Sequence, residues 1–301
     1  MIPGSKPVRI LLLGKYGQLG WELQRTLFTL GDLICLDFPE IDLTQEDQII
    51  STLRQVEPQV IVNATAYTAV DQAEHEPEIA SAVNTVAPSI LAEEASALGA
   101  ALIHYSTDYV FDGKKNEPYL ETDRPNPLGV YGQSKLEGEN AIREIDGAYL
   151  ILRTSWVYSL RRDSFVTKVL QWSRQQETLR VVADQVSGPT WARMLAEVTA
   201  QLLAAAGSAP SDWIRERRGL YHLAGSGHTS RYEWARTILS LDPRREEQVA
   251  KKILPAQTVE FPTPAQRPLY SALNCDLFSS SFNLRLPEWE IALALALAGD
   301  I

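Results

Sequence analysis

Residues 8–20 read VRILLLGKYGQLG, and this stretch decides the fold. Val8–Leu13 is a short apolar run of the kind a buried strand shows, and three glycines, Gly14, Gly17 and Gly20, follow at once. Gln18–Leu30 then carries apolar residues at Leu19, Leu23, Leu27 and Leu30, the spacing of one helix face. A strand, a glycine-rich turn and a helix in that order let a pyrophosphate approach backbone N–H groups at a helix N-terminus. A plain glycine-rich turn has the same spelling, so context must decide.

That context is an alternation of strands and helices. Strands are expected at Leu33–Asp37, Gln59–Asn63, Ala100–Ser106 and Tyr149–Thr154. Helices are expected from Thr44, whose T-Q-E-D suits a cap, to about Gln55, over 77–98, and over Tyr131–Ile145. Such alternation predicts an α/β, Rossmann-type doubly wound parallel sheet with helices on both faces. After about residue 157 the rhythm loosens. A helix near 164–176, a strand near 179–183, a helix over 190–206 and a last helix over 287–298 are expected. The reading is a dinucleotide-binding domain over 1–158, to which 179–206 returns, and a smaller C-terminal substrate-binding domain over 159–301. Residues 113–130 hold three prolines and little periodicity, and a loop of that length is often functional.

The 301 residues carry 28 basic and 38 acidic side chains, a net charge of −10. That balance argues against a nucleic-acid partner and against an anionic membrane surface. It leaves room for an anionic small ligand held by backbone N–H groups. Cys35 and Cys275 stand far apart without a CxxC, and the four histidines form no compact ligand spacing. The N-terminal MIPGSKPVRILLLG lacks a signal-peptide pattern, and Ile291–Ala298 is too short to span a bilayer. The expectation is a soluble protein of a reducing compartment, with no metal site.

Several residues fit a nicotinamide dinucleotide in a sheet crevice. Asp37 closes the second strand about 20 residues beyond the glycines, where an acid accepts hydrogen bonds from a ribose 2′-hydroxyl. With no arginine directly after it, it favours NADH over NADPH; a surface acid is the alternative. Asn63-Ala64-Thr65-Ala66 puts small side chains at the end of the third strand, leaving space for a ligand. Tyr131 and Lys135 lie i, i+4 on one helix face. A lysine ammonium beside a phenol is expected to lower the phenol's pKa, preparing it to exchange a proton with a carbonyl or alcohol. Thr107, at the end of the fourth strand, offers a hydroxyl to the reacting oxygen. A capped strand end and an exposed helix lysine are the alternatives for Thr107 and Lys135.

GKYGQLGWELQ (14–24), VNATAYTAVDQAE (62–74), HYSTDYVFDG (104–113), NPLGVYGQSKLEGE (126–139), LRTSWVY (152–158), DQVSGPT (184–190), GLYHLAG (219–225) and FPTPAQRPLYSALN (261–274) span almost the whole chain. In that order they resemble the extended short-chain dehydrogenases/reductases and, within them, the dTDP-4-dehydrorhamnose reductase family. The resemblance implies NAD(P)H-dependent reduction of the C4 ketone of dTDP-4-dehydro-β-L-rhamnose to dTDP-L-rhamnose in the cytoplasm. Another sugar-nucleotide 4-ketoreductase or epimerase, or a non-catalytic regulatory subunit on the same fold, stays open. It implies that Tyr131 is the catalytic acid, that Lys135 holds the nicotinamide ribose, and that Thr107 orients the substrate carbonyl. It also implies dinucleotide contacts from Gly14, Tyr16, Gly17, Gln18, Leu19, Gly20, Asp37, Asp42, Leu43, Ala64, Thr65, Ala66 and Tyr105. Asp108, Tyr109 and Trp156 are implied sugar-nucleotide contacts, although Trp156 also suits a core. The C-terminal segments around Arg193 and Arg267 are placed to approach the diphosphate, although each also suits a surface. Some relatives bridge a dimer with magnesium through glutamates. Glu22 matches one such position, but Arg193 stands where another glutamate is expected, and a cation there opposes metal binding. The expectation is no metal bridge, and a monomer or weak homodimer.

Overall fold

In the computed structural model, which describes residues 7–298, the strand β1 (Val8–Leu13) sits inside a six-stranded parallel sheet. The helix α1 (Gln18–Leu27), β2 (Gly31–Leu36), α2 (Glu46–Val56) and β3 (Val60–Asn63) follow in turn. Then come α3 (Ala87–Leu98), β4 (Ala101–Thr107), α4 (Val130–Glu144) and β5 (Ala148–Thr154). Along β1 the side chains alternate between two cores. Ile10 and Leu12 meet Leu19, Leu23 and Leu27 of α1, while Leu11 and Leu13 meet Ile49 and Leu53 of α2 and Leu91 of α3. A strand buried on both faces has to be apolar at every position, so VRILLL runs without polar alternation after Arg9. Each such side chain contributes roughly 1.5–3 kcal/mol by burial.

Further along the chain are α5 (Phe165–Gln175), β6 (Thr178–Val182), α6 (Ala192–Ala206), β7 (Gly219–His222), α7 (Arg231–Ser240), β8 (Lys252–Ala256) and α8 (Trp289–Ala298). The large sheet runs β7-β5-β4-β3-β1-β2. Its order reverses between β1 and β3, and ligands of doubly wound sheets sit beyond the carboxyl ends at such a point.

A second core gathers Val166 and Val169 of α5, Leu179 and Val181 of β6, Trp234 and Ile238 of α7, and Leu293 and Leu297 of α8. β6 and β8 pair in parallel within this unit. The expected return of 179–206 to the large sheet is therefore corrected: α6 packs there through Leu195, Val198 and Leu202, but β6 belongs to the second core. Residues later than expected also cross over. β7 adds the sixth strand, and Phe278 and Leu286 join the first core.

Two local expectations change. Thr44 does not cap α2; its N–H and hydroxyl both donate to Asp42, and Gln45 precedes the helix without a side-chain cap. The helical stretch over 77–98 contains a widened π turn at Ala82–Val86. At that turn α4 comes so close that a Cβ on Gly138 would lie 2.1 Å from the Asn84 carbonyl oxygen. Met1–Lys6 of the N-terminal stretch lie outside the described residues. Among the described residues no helix is long and apolar enough to cross a membrane, and both cysteines are free thiols.

Candidate active site

An open crevice of about 1050 Å³ lies over the carboxyl ends of β1, β3 and β4. Its floor begins at Gly14, whose φ of +89° lies in the left-handed region that favours glycine. A Cβ there would sit 2.9 Å from the Ala64 carbonyl oxygen. The turn leads into α1 at Gly17, and no side chain caps that helix end. Its first N–H groups thus lack a side-chain partner, the arrangement that receives a phosphate. Gln18 ties the turn to the segment after β5 by accepting the Ser159 N–H at 2.7 Å. Gly20 plays a supporting part. A Cβ there would lie 1.9 Å from the Gly14 carbonyl oxygen, so the glycine lets α1 approach β1.

Gly14, Tyr16, Gly17, Gln18, Leu19, Asp37, Ala64, Thr65 and Ala66 line the crevice at this end. Asp37 is oriented by accepting the Tyr16 N–H at 2.9 Å and its neighbour Phe38's N–H at 2.8 Å. Asp42 and Leu43 do not line it: Asp42 anchors Thr44, and Leu43 packs against the core beneath α2. The small side chains after β3 and the uncapped helix end fit a dinucleotide. Its resident groups would be held by the phosphate turn, Asp37 and Lys135.

Tyr105, Thr107, Asp108, Tyr109, Tyr131, Lys135 and Trp156 line the other end. Tyr109 meets Tyr131 edge-on, with ring centroids 5.6 Å apart. Lys135 is only 1% exposed. Its Nζ donates to the Tyr105 carbonyl at 2.7 Å and lies 3.1 Å from His104 Nε2, so neither bond goes to Tyr131. The expected lowering of the phenol is overturned here. Burial pushes Tyr131 above the ordinary tyrosine range, offset in part by the Thr107 hydroxyl. The same loss of water lowers Lys135 to about 8, against the pull of Glu139. A low-dielectric wall shifts each group toward its neutral form, which keeps Tyr131 protonated and leaves Lys135 mostly an ammonium at neutral pH. Tyr131 thus lines the crevice with its phenol protonated.

Asp108 is buried, and three sequence motifs meet on it. It accepts from Ser271 at 2.5 Å and from Ser187 at 3.0 Å. Burial raises it to about 6, and the two serines oppose that rise. Asp108 lines the crevice while one of its oxygens joins the end of β4 to the C-terminal segments. Tyr105 likewise turns its phenol away, onto Thr199.

Arg267 is corrected too. Its guanidinium forks onto Asp71 at 2.8 and 3.0 Å and does not line the crevice. Arg193 pairs with Glu197 at 2.7 Å and Glu22 at 3.3 Å. Glu22 is therefore already paired with a cation. Among the described residues no group of three or more histidine, cysteine or carboxylate side chains is placed to hold a metal. Residues 113–130 do not line the crevice either; Tyr119 stacks on Phe111 at 4.1 Å and bonds the backbone near Ala272.

The sequence reading missed Arg231. It opens α7 and lines the crevice, with its guanidinium 3.8 Å from the Trp156 ring and 4.8 Å from that of Phe165. Among the described residues no carboxylate forms an ion pair with it, and burial lowers it to about 10. Trp156 reaches this stack with φ at +40°, a left-handed backbone that costs a residue with a Cβ about 1–3 kcal/mol. No local pattern marks Arg231, since only the packing of α7 on Trp156 brings it here.

A family model described as the RmlD substrate binding domain matches residues 8–300. The chain is 42% identical over 291 residues to dTDP-4-dehydrorhamnose reductase of Escherichia coli K12, covering 95% of this chain and 96% of that one. It is 39% identical over 297 residues to the enzyme of the same name from Burkholderia thailandensis, covering 96% and 97%. The crystal structure of dTDP-4-dehydrorhamnose reductase from Bacillus anthracis in complex with NADP superposes with a TM-score of 0.88 at 32% identity, covering 98% of this chain and all of that one.

Proposed function

This chain belongs to the dTDP-4-dehydrorhamnose reductase family, and from that premise we infer that its crevice reduces the C4 ketone of dTDP-4-dehydro-β-L-rhamnose to dTDP-L-rhamnose. The observation that carries this reading is the convergence of Thr107, Tyr131 and Lys135 between the glycine-rich turn before α1 and Arg231, which has no ion-pair partner among the described residues. When bound, a reduced nicotinamide supplies the hydride. The chain's own residues do the rest. Tyr131 Oη donates its proton to the C4 oxygen as charge builds there, and the Thr107 hydroxyl hydrogen-bonds the same oxygen. Lys135 and Asp37 hold ribose hydroxyls, and the α1 N-terminus holds the pyrophosphate. Trp156 packs beside the deoxysugar, and Arg231 binds the dTDP diphosphate in place of Arg267.

Asp37 at the end of β2 supports use of NADH, because a carboxylate there repels a 2′-phosphate. The Glu22–Arg193 pair supports a monomer or weak homodimer without a bridging magnesium. Light scattering is expected to give a mass unchanged by EDTA; a chelator-sensitive dimer overturns that. A sugar-nucleotide substrate and two free thiols fit the cytoplasm.

A coupled assay tests the activity. A dehydratase and an epimerase convert dTDP-glucose in place, and this protein is added with NADH or NADPH. Nicotinamide oxidation with dTDP-rhamnose appearing is expected with both, faster with NADH. Cofactor binding without oxidation sinks the reading. Cofactor retained through purification then points to an epimerase, and a large stoichiometric partner points to a regulatory subunit.

A further inference from the structure

The Asp37 end of the crevice carries an ion pair. Lys15, inside the glycine-rich turn, donates through Nζ to Glu40 Oε1 at 2.5 Å. We propose that this pair sets the coenzyme preference: Glu40 holds Lys15 away from the adenosine 2′ position, and so disfavours the 2′-phosphate of NADPH against the 2′-hydroxyl of NADH. The proposal rests on the reductase reading of the crevice and deepens it.

Hydrogen bonds tie the pair to the residue read as the ribose acceptor. Asp37 accepts the Tyr16 N–H at 2.9 Å, and its own N–H donates to Glu40 Oε2 at 3.2 Å. The Glu40 N–H returns to the Asp37 carbonyl at 2.8 Å. One Glu40 side-chain oxygen therefore sits on the Asp37 backbone while the other holds the ammonium. Lys15 is fixed along its length. Its carbonyl accepts from Gln24 Nε2 at 2.7 Å, and its Nζ lies 5.0 Å from the centre of the Tyr16 ring, a residue of the crevice lining.

Charge decides what this arrangement accepts. A 2′-hydroxyl is neutral and donates to a carboxylate, whereas a 2′-phosphate is an anion that needs a cation near this position. Arg162 and Arg231, the arginines of the crevice lining, come from the segment after β5 and from α7, and Arg231 stacks on Trp156. Lys15 is the cation bonded into the Asp37 loop, and Glu40 occupies it. Each partner favours the charged form of the other. The Lys15 hydrogen bond holds the Glu40 carboxyl below its usual range, and the Glu40 hydrogen bond holds the Lys15 ammonium above its own. The Glu40 side chain is 41% exposed and that of Lys15 15%. An ion pair this open to water is weak, so another anion can take the place of one partner. With Glu40 present, however, that exchange leaves two carboxylates, Asp37 and Glu40, beside the phosphate, and like charges repel.

The test is a double-mutant cycle on the full chain, read as the ratio of NADPH to NADH affinity from cofactor fluorescence at neutral pH. Wild type is expected to bind NADH more tightly, and a wild type that prefers NADPH overturns the proposal. Glu40→Gln keeps an oxygen for the Asp37 N–H and removes the charge. It is expected to move the ratio about tenfold toward NADPH, with NADH affinity within about twofold of wild type. Lys15→Met keeps the stem and removes the ammonium. Adding Glu40→Gln to it is expected to move the ratio by less than about threefold, because no cation is left to release. A shift as large in the Lys15→Met background as in wild type overturns the proposal and leaves Glu40 as general repulsion; an unmoved ratio in Glu40→Gln overturns it as well. Binding requires no turnover. Absence of binding by either nucleotide sinks the reductase reading, whereas binding of both with an unmoved ratio sinks this proposal alone.

Discussion

Tyr131 keeps its proton because its wall of the crevice is poor in water, and a phenolate there would lose hydration that the Thr107 hydroxyl replaces only in part. Removing only the hydroxyl should therefore remove the proton and little else. Tyr131→Phe is expected to lower kcat by about 10²–10⁴-fold with NADPH affinity within about twofold of wild type. Near-normal turnover in steady-state kinetics ends Tyr131's candidacy. Asp108 makes a second prediction at this scale. Its folded value of about 6 lies above the unfolded carboxyl near about 3.9. The native state then binds the proton more tightly, so stability falls as pH rises from about 4 to 6 and levels off above. Asp108→Asn retains an acceptor for Ser187 and Ser271 and has no such slope. Its thermal midpoint relative to wild type should climb across that window, and a flat difference refutes the buried-acid account.

At the scale of elements, the phosphate turn works only if α1 starts hard against β1. Gly20 permits this, since a Cβ would press 1.9 Å from a backbone oxygen that has no freedom to move aside. Gly20→Ala is expected to lower dinucleotide affinity at least tenfold, about 1.4 kcal/mol, with the secondary structure by circular dichroism retained. Unchanged affinity means the turn tolerates the shift and does not set the phosphate site. The widened turn at Ala82–Val86 serves a parallel purpose. Asn84 accepts the Tyr67 N–H and donates to Ser134 of α4, so the irregularity docks the helix that carries Tyr131 and Lys135. This irregularity has no signature in the apolar spacing of 77–98, since π turns are rare single-turn insertions within α-helices.

Across the whole molecule, the crevice has one wall from each core. The large sheet supplies the dinucleotide end, and α7 of the second core supplies Arg231 at the other. Arg231→Leu keeps apolar contact with Trp156 and removes the charge. KM for the sugar nucleotide is expected to rise about 10–100-fold, the range of a charge-assisted hydrogen bond of about 1.5–3 kcal/mol, while NADPH affinity holds. Equal loss of both affinities assigns Arg231 to packing.

The sequence by itself determined the parallel sheet, because burial on both faces demands unbroken apolar strands at β1, β3 and β4. It determined the phosphate turn, because glycine alone tolerates the backbone at Gly14 and the close contact at Gly20. It also made Thr107, Tyr131 and Lys135 legible as candidates, since helical spacing and strand ends are local properties, and the fold brings all three to one crevice. Only the tertiary structure decided what those groups carry as charge. The pKa shifts of Tyr131 and Asp108 follow from which groups surround them, and those come from strands and helices far apart in the chain. The same holds for arginines. Arg267 and Arg231 look alike in sequence, but Asp71 meets one and aromatic rings meet the other, and that difference of neighbours puts Arg231 and not Arg267 on the crevice wall.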